Sequence, residues 1–189
     1  MGEIKQEWIL GLSAKEAAER AKAAGEIYRV GRERAEKVVR GWWQNTDFAR
    51  LCGDQPAVTV GLAVRPLTFA QIREANGFPK LARVPPEQDA SEFALHFPDG
   101  TVLDVLTTRE PGAQGAITKF LNKQGEGVQQ VEFRCADVDR ATAILREEFG
   151  VKPVYPAKTA GADGTKVNFF LMAGADGEKV LIELYEAAE

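Results

Sequence analysis

From Ala57 onward, apolar and polar positions alternate in short runs, each ended by a turn or cap residue. Val60-Gly61-Leu62-Ala63-Val64 alternates as a strand does, then leads through Pro66 into Ala70 and Ile72 at helical spacing. Val131-Glu132-Phe133-Arg134-Cys135 repeats the pattern and leads through Asp137 into Ala141 and Ile144. A second echo joins Thr101-Val102-Leu103-Asp104-Val105-Leu106 to Val180-Leu181-Ile182-Glu183-Leu184-Tyr185, with an acid at the same place in each. Such a repeat predicts an α+β chain built from two βαβββ modules, at about 57–108 and 128–186. Packed about a pseudo-twofold axis, the modules would form one curved mixed sheet whose equivalent positions share a cavity.

Punctuation refines the elements. Gly77-Phe78-Pro79 ends the first helix, and Pro85-Pro86 breaks the connection that follows. Residues 91–97 and 101–107 read as a hairpin turning at Pro98-Asp99-Gly100. Ile117, Phe120 and Leu121 give the 109–127 linker a helical spacing. The second module reads as strand, helix over 138–148, strand near 151–156, then two strands divided by the 174–177 turn. Gly161-Ala162-Asp163-Gly164 makes a similar turn, and with no helix after it to supply a dipole it is not a phosphate loop.

The first fifty residues follow a different rule. Ser13-Ala14-Lys15-Glu16 has the form of a capping box, which predicts a helix starting there. Ala17, Ala21, Ala24 and Tyr28 then form a narrow apolar stripe, and charged residues fill the other face through Arg40. Gly25, Gly31 and Gly41 each weaken a helix interior by about 1 kcal/mol relative to alanine. So weak a helix leans on something else. Residues 1–54 therefore read as a helical arm before a domain at 55–189. Trp42 and Trp43, with Phe48 and Leu51, either pack this arm onto the body or meet a protein partner; packing is favoured, and the two are compatible.

Charge changes the picture little. The chain carries 24 basic and 28 acidic residues in 189, a balance that argues against a nucleic acid as partner. The first fifty residues hold 10 basic against 8 acidic side chains, so the arm is slightly basic and the body acidic. No apolar run is long enough to span a bilayer, and Met1-Gly2-Glu3-Ile4-Lys5 lacks the apolar core of a signal peptide. The expected location is cytoplasm or an organelle interior, mitochondrial matrix or plastid stroma, rather than outside the cell. Cys52 and Cys135 lie far apart in sequence and read as free thiols. With His96 the sole histidine, a zinc finger is excluded.

Particular segments point further. Residues 116–133, running from Ala116-Ile117-Thr118-Lys119-Phe120-Leu121 through Gly125-Glu126-Gly127-Val128-Gln129-Gln130, resemble the stretch joining the two modules of methylmalonyl-CoA epimerases. These belong to the vicinal-oxygen-chelate, or glyoxalase-like, superfamily. Gly161-Ala162-Asp163-Gly164 and the closing Val180-Leu181-Ile182-Glu183-Leu184 are similar to that family too. The resemblance spans residues 57–186, is weaker over 76–92, and is absent from the first fifty. It implies four side chains around a divalent metal, a histidine opening each module and an acid or amide near each end. The metal would polarise a thioester carbonyl so that the adjacent carbon loses and regains a proton. Position by position, the oxygen ligands fall on Asp104 and Glu183, but the histidines fall on Thr59 and Gln130.

Imidazole is a strong neutral ligand for zinc or cobalt, whereas a threonine hydroxyl is barely a ligand and a glutamine carbonyl a modest one. Two acids and an amide suit a hard ion such as magnesium only weakly. Alternation puts Thr59, Gly61 and Ala63 on the cavity face, with Asp104, then Gln130, Glu132 and Arg134, then Glu183 and Tyr185. Arg134 is the expected counter-ion for Asp104, Glu132 or Glu183, while Glu132 and Tyr185 line the cavity. His96, opposite in face to Phe93 and Leu95, is a weak candidate for the same space.

The favoured reading is a metal-free, non-catalytic relative of these epimerases, with no cofactor, serving as a structural or binding subunit docked through its arm. A small molecule in the cavity and a homodimer both stay open. One alternative is a metal-dependent epimerase, isomerase or lyase acting on an acyl-CoA or 2-oxo substrate, with Asp104 and Glu183 as ligands or bases. Another is a protein that sequesters a small molecule.

Overall fold

A computed structural model describes all residues except 1–3, 111, 113, 175, 176 and 189. The turn expected at 174–177 thus lies partly outside the described residues. The chain is α+β and divides into two compact units, residues 1–31 with 59–129, and residues 32–58 with 130–189.

In the first unit, β1 (Val58–Ala63) leads through α4 (Pro66–Ala75) to β2 (Ser91–His96) and β3 (Val102–Thr107), with helices α1 (Gln6–Gly11), α2 (Ala17–Val39) and α5 (Ala116–Gln124) around them. β1 runs parallel to β3, with Gly61 beside Asp104, and β2 runs antiparallel to β3 as a hairpin. The hairpin closes where the sequence says it should. Phe97 N–H donates to Thr101 O at 3.0 Å, and Gly100 sits at φ +86°, a conformation that favours glycine. Where a further strand would complete the module, residues 79–84 carry one sheet-like bond, Ala82 N–H to Glu92 O at 3.0 Å. Ala63, Leu106, Ile117 and Leu121 form an apolar cluster beneath α5.

Two features here escape the sequence pattern. The helix α1 was not expected, yet it buries Ile9 completely, and Leu12 after it is buried too. Ser13 does not cap α2, which starts at Ala17. The turn at 12–14 is already engaged in closing α1, and the Ser13 hydroxyl donates to Leu10 O at 3.0 Å. Gly31 also has a role beyond weakening its helix. A Cβ there would meet Val60 Cγ1 at 2.6 Å, so glycine is what lets α2 approach β1 this closely.

In the second unit, β4 (Gly127–Arg134) leads through α6 (Val138–Phe149) to β5 (Thr159–Ala160), β6 (Lys166–Ala173) and β7 (Lys179–Glu186), with α3 (Thr46–Cys52) beside them. β4 pairs parallel with β7, β7 antiparallel with β6, and β6 antiparallel with β5. Asp137 caps α6 by accepting from Arg140 N–H at 3.0 Å, and Gly150 ends the helix in the left-handed region. The strand expected near 151–156 shrinks to a single bridge, Pro153 with Phe170, because proline has no N–H to extend a ladder.

Residues of the first fifty supply core side chains to both units, Ile27 in the first, Trp42 and Phe48 in the second. Trp42 is 2% exposed, with its ring 5.7 Å from Phe48 and 5.9 Å from Phe170 in edge-on contacts. Truncating Trp42→Ala should cost about 3–5 kcal/mol in a urea titration, and Trp43→Ala clearly less because that ring is only half-buried.

Glu186 adds an acid-sensitive tie. Burial pushes its carboxyl up, but the Lys158 ammonium at 2.8 Å and the Val138 N–H at 3.0 Å more than reverse this, leaving it below the ordinary glutamate value. A carboxylate lowered on folding stabilises above its unfolded pKa and loses that contribution as pH falls through the folded one. Urea titrations across the acid range should therefore show Glu186→Gln less stable than wild type near neutrality, the gap closing below about pH 4.

Candidate functional site

The first unit contributes Thr59 and Asp104. Pairing of Gly61 with Asp104 puts Thr59, two residues earlier on β1, on the Asp104 face. Thr59 is buried and Asp104 half-buried. His96 shares that face of β2 but lies at the strand's exposed end, opposite Val102.

The second unit contributes a tighter arrangement. β4 and β7 pair with Gln130 opposite Leu181, Glu132 opposite Glu183 and Arg134 opposite Tyr185. Two carboxylates thus meet across one rung, each under 10% exposed, at 7% for Glu132 and 8% for Glu183. Like charges at that separation repel unless something donates to both. The Gln130 amide does so. Its nitrogen donates to Glu132 Oε1 at 3.0 Å and to Glu183 Oε2 at 2.6 Å. An amide nitrogen carries two N–H groups, so this geometry commits both of them. In the first unit, the Gln129 side-chain carbonyl oxygen is buried with no hydrogen-bond partner among the described residues.

Arg134 occupies a different place from the one expected of it. It follows the alternation, yet as the last residue of β4 it is exposed, and it forms no ion pair with a described residue. The face it belongs to reaches solvent at that end, and hydration is cheaper for a guanidinium than burial. The bridging amide does what the arginine was expected to do. Tyr185, its partner across the strands, is half-buried.

Of Trp42 and Trp43, the second lines a cavity. Its N–H donates to Gly53 O at 3.0 Å, and its ring lies 5.3 Å from Phe133. Together with Arg32, Glu36, Arg40 and Asp54 these rings line a cavity of about 570 Å³. Arg32 pairs with Glu36 at 2.8 Å. A second cavity, of about 380 Å³, is bordered by Cys52, Arg134, Cys135 and Glu186. Among the described residues no group of three or more His, Cys, Asp or Glu side chains is gathered as a metal site requires.

Comparison with solved structures gives this geometry a context. A methylmalonyl-CoA epimerase from Mycobacterium tuberculosis is 30% identical, aligning over 69% of this chain and 87% of its own with a TM-score of 0.56. The chain belongs to the methylmalonyl-CoA epimerase family. Its fold is accordingly the glyoxalase-like one. A variant of the Streptomyces coelicolor methylmalonyl-CoA epimerase, in complex with 2-nitronate-propionyl-CoA, is 26% identical over 69% of this chain and 96% of that one, with a TM-score of 0.54. Another methylmalonyl-CoA epimerase, in complex with methylmalonyl-CoA and ammonium, is 27% identical over 69% and 92%, also with a TM-score of 0.54. No protein-family profile matches the chain, and no curated protein matches it by sequence.

Strand alternation was enough to put Gln130, Glu132 and Glu183 on one face. That the amide would bridge the acids was not legible, although the Gln-Val-Glu spacing in β4 and the acid in β7 contained the signal. The Trp43 cavity and the placing of Cys52 and Cys135 on one cavity had none, since they depend on contacts distant in sequence. Replacing the amide by a similar-sized apolar group tests the bridge. Gln130→Leu should destabilise the protein by about 1–3 kcal/mol, read in a denaturant titration at neutral pH, because it removes the amide donor shared by two buried acceptors.

Proposed function

We propose that this chain is a metal-free, non-catalytic member of the methylmalonyl-CoA epimerase family that serves as a binding or structural module. One observation carries the reading: the Gln130 amide nitrogen donates to Glu183 at 2.6 Å. By the family resemblance, Gln130 stands where an imidazole belongs and Glu183 where an acid ligand belongs. Two ligands of one cation must both turn lone pairs toward it. Here one side chain turns its protons toward the other, and a lone pair of the carboxylate is already taken. Thr59, at the other imidazole position, offers a hydroxyl that holds zinc or cobalt poorly. The donor set does not fit the ion that polarises a thioester in this family.

Acyl-CoA thioesters are the ligand class to try first, since the related structures hold methylmalonyl-CoA and 2-nitronate-propionyl-CoA. The partner contact proposed for the first fifty residues narrows to Trp43, because Trp42 is committed to Phe48 and Phe170. A metal-dependent epimerase, isomerase or lyase is the second reading, favoured by family membership and by the retained Asp104 and Glu183.

Two measurements decide between them. After dialysis against cobalt, manganese or magnesium, elemental analysis should find substoichiometric metal on the wild type. The Thr59→His/Gln130→His double variant, which supplies both imidazoles, should retain more. In deuterium oxide, methylmalonyl-CoA incubated with the protein and each ion should gain no solvent deuterium. One tightly held ion per wild-type chain, or exchange abolished by Glu183→Gln, would establish the second reading instead.

A further inference from the structure

Cys52 ends α3 and Cys135 follows β4, far apart in sequence, yet the fold brings them together. Ala136 N–H donates to Leu51 O at 2.8 Å, a bond that flanks the two cysteines on their neighbouring residues. Both are free thiols, 8% and 3% exposed, and both border the cavity of about 380 Å³. Two cysteines bordering one cavity give a small oxidant a route that a fully packed core would deny.

The cavity's charges differ in availability. Glu186 is engaged with the Lys158 ammonium at 2.8 Å and the Val138 N–H at 3.0 Å. Arg134, adjacent to Cys135 in the chain and on the same wall, is in no ion pair with a described residue. The thiols also differ from each other. The hydrogen bond with Cys135, and after it burial, push the Cys52 thiol well above its ordinary value, so Cys52 holds its proton.

We propose that Cys52 and Cys135 form a two-thiol redox site that a hydroperoxide closes to a disulfide. Hydrogen peroxide, the simplest such oxidant, enters by the cavity. Cys135 sulfur attacks one peroxide oxygen and the O–O bond breaks; the departing hydroxide takes the Cys135 thiol proton and leaves as water, giving a sulfenic acid. The Cys52 sulfur then attacks the Cys135 sulfur. The S–O bond breaks, and the hydroxyl leaves as a second water with the Cys52 proton. Two thiols are oxidised by two electrons in total, and one peroxide is reduced to two waters. The product ties the end of α3 to the end of β4, the strand that carries Gln130 and Glu132.

The test uses the full-length reduced protein. Treatment with hydrogen peroxide should remove both free thiols and two hydrogen atoms of mass, and tryptic mapping should find a Cys52–Cys135 link that dithiothreitol reverses. The oxidised form should melt higher by roughly 10 °C, since the link closes a long loop. Cys52→Ser should instead accumulate a dimedone-reactive sulfenic acid at Cys135. Phenylarsine oxide gives a readout that does not depend on oxidation rate. It releases one water as it binds two neighbouring thiols, so the reduced wild type should take up one equivalent per chain and Cys52→Ser should not bind it stably. Sulfinic acid without a link, a link between two chains in place of the internal one, or no stable arsenical adduct on the wild type would each overturn the proposal.

Discussion

Parallel pairing of β4 with β7 sets Glu132 directly opposite Glu183, and the surrounding unit has to accommodate that rung. Both side chains are buried, so water cannot supply the donors that two carboxylates need. The Gln130 amide fills this role because it lies one strand period before Glu132 and its nitrogen reaches both acids. A β-strand has no freedom to move one of these groups alone. A slip of β4 by one residue would send Gln130 and Glu132 to the other face, away from Glu183. Register, burial and amide bridge are therefore one constraint, and the proposed loss of metal binding is its chemical consequence.

The first fifty residues follow a related logic of close approach. Their alanine-rich stripe offers little apolar area, so the helix gains from proximity rather than bulk. Gly31 lets α2 come against Val60, and the adjoining α1 adds the fully buried Ile9. Further along, Trp42 makes two edge-on aromatic contacts, with Phe48 and Phe170. Large aromatic area at one position offsets small side chains elsewhere. A segment that reads as an appendage thus contributes core side chains to each compact unit.

Much of the fold was legible for local reasons. The 98–100 turn, the Asp137 cap and the spacing of Ile117 and Leu121 each act over a few residues, and each element appears where they put it. The failures are instructive in the same terms. Ser13 has the chemistry of a cap, but a preceding helix claims its hydroxyl first. Residues 151–156 have strand-like composition, but Pro153 cannot donate. Arg134 obeys the alternation, and alternation says which face a side chain takes without saying how near that face is to solvent.

The candidate site divides along the same line. By itself the sequence determined the α+β modules and the family resemblance, because periodicity and residue identity are properties of the chain. Only tertiary structure decided that Gln130 turns its protons to Glu183, that Arg134 goes to water, and that Cys52 meets Cys135. Each of these depends on distances between segments remote along the chain, and on the cost of burying charge at those distances, which no local pattern encodes.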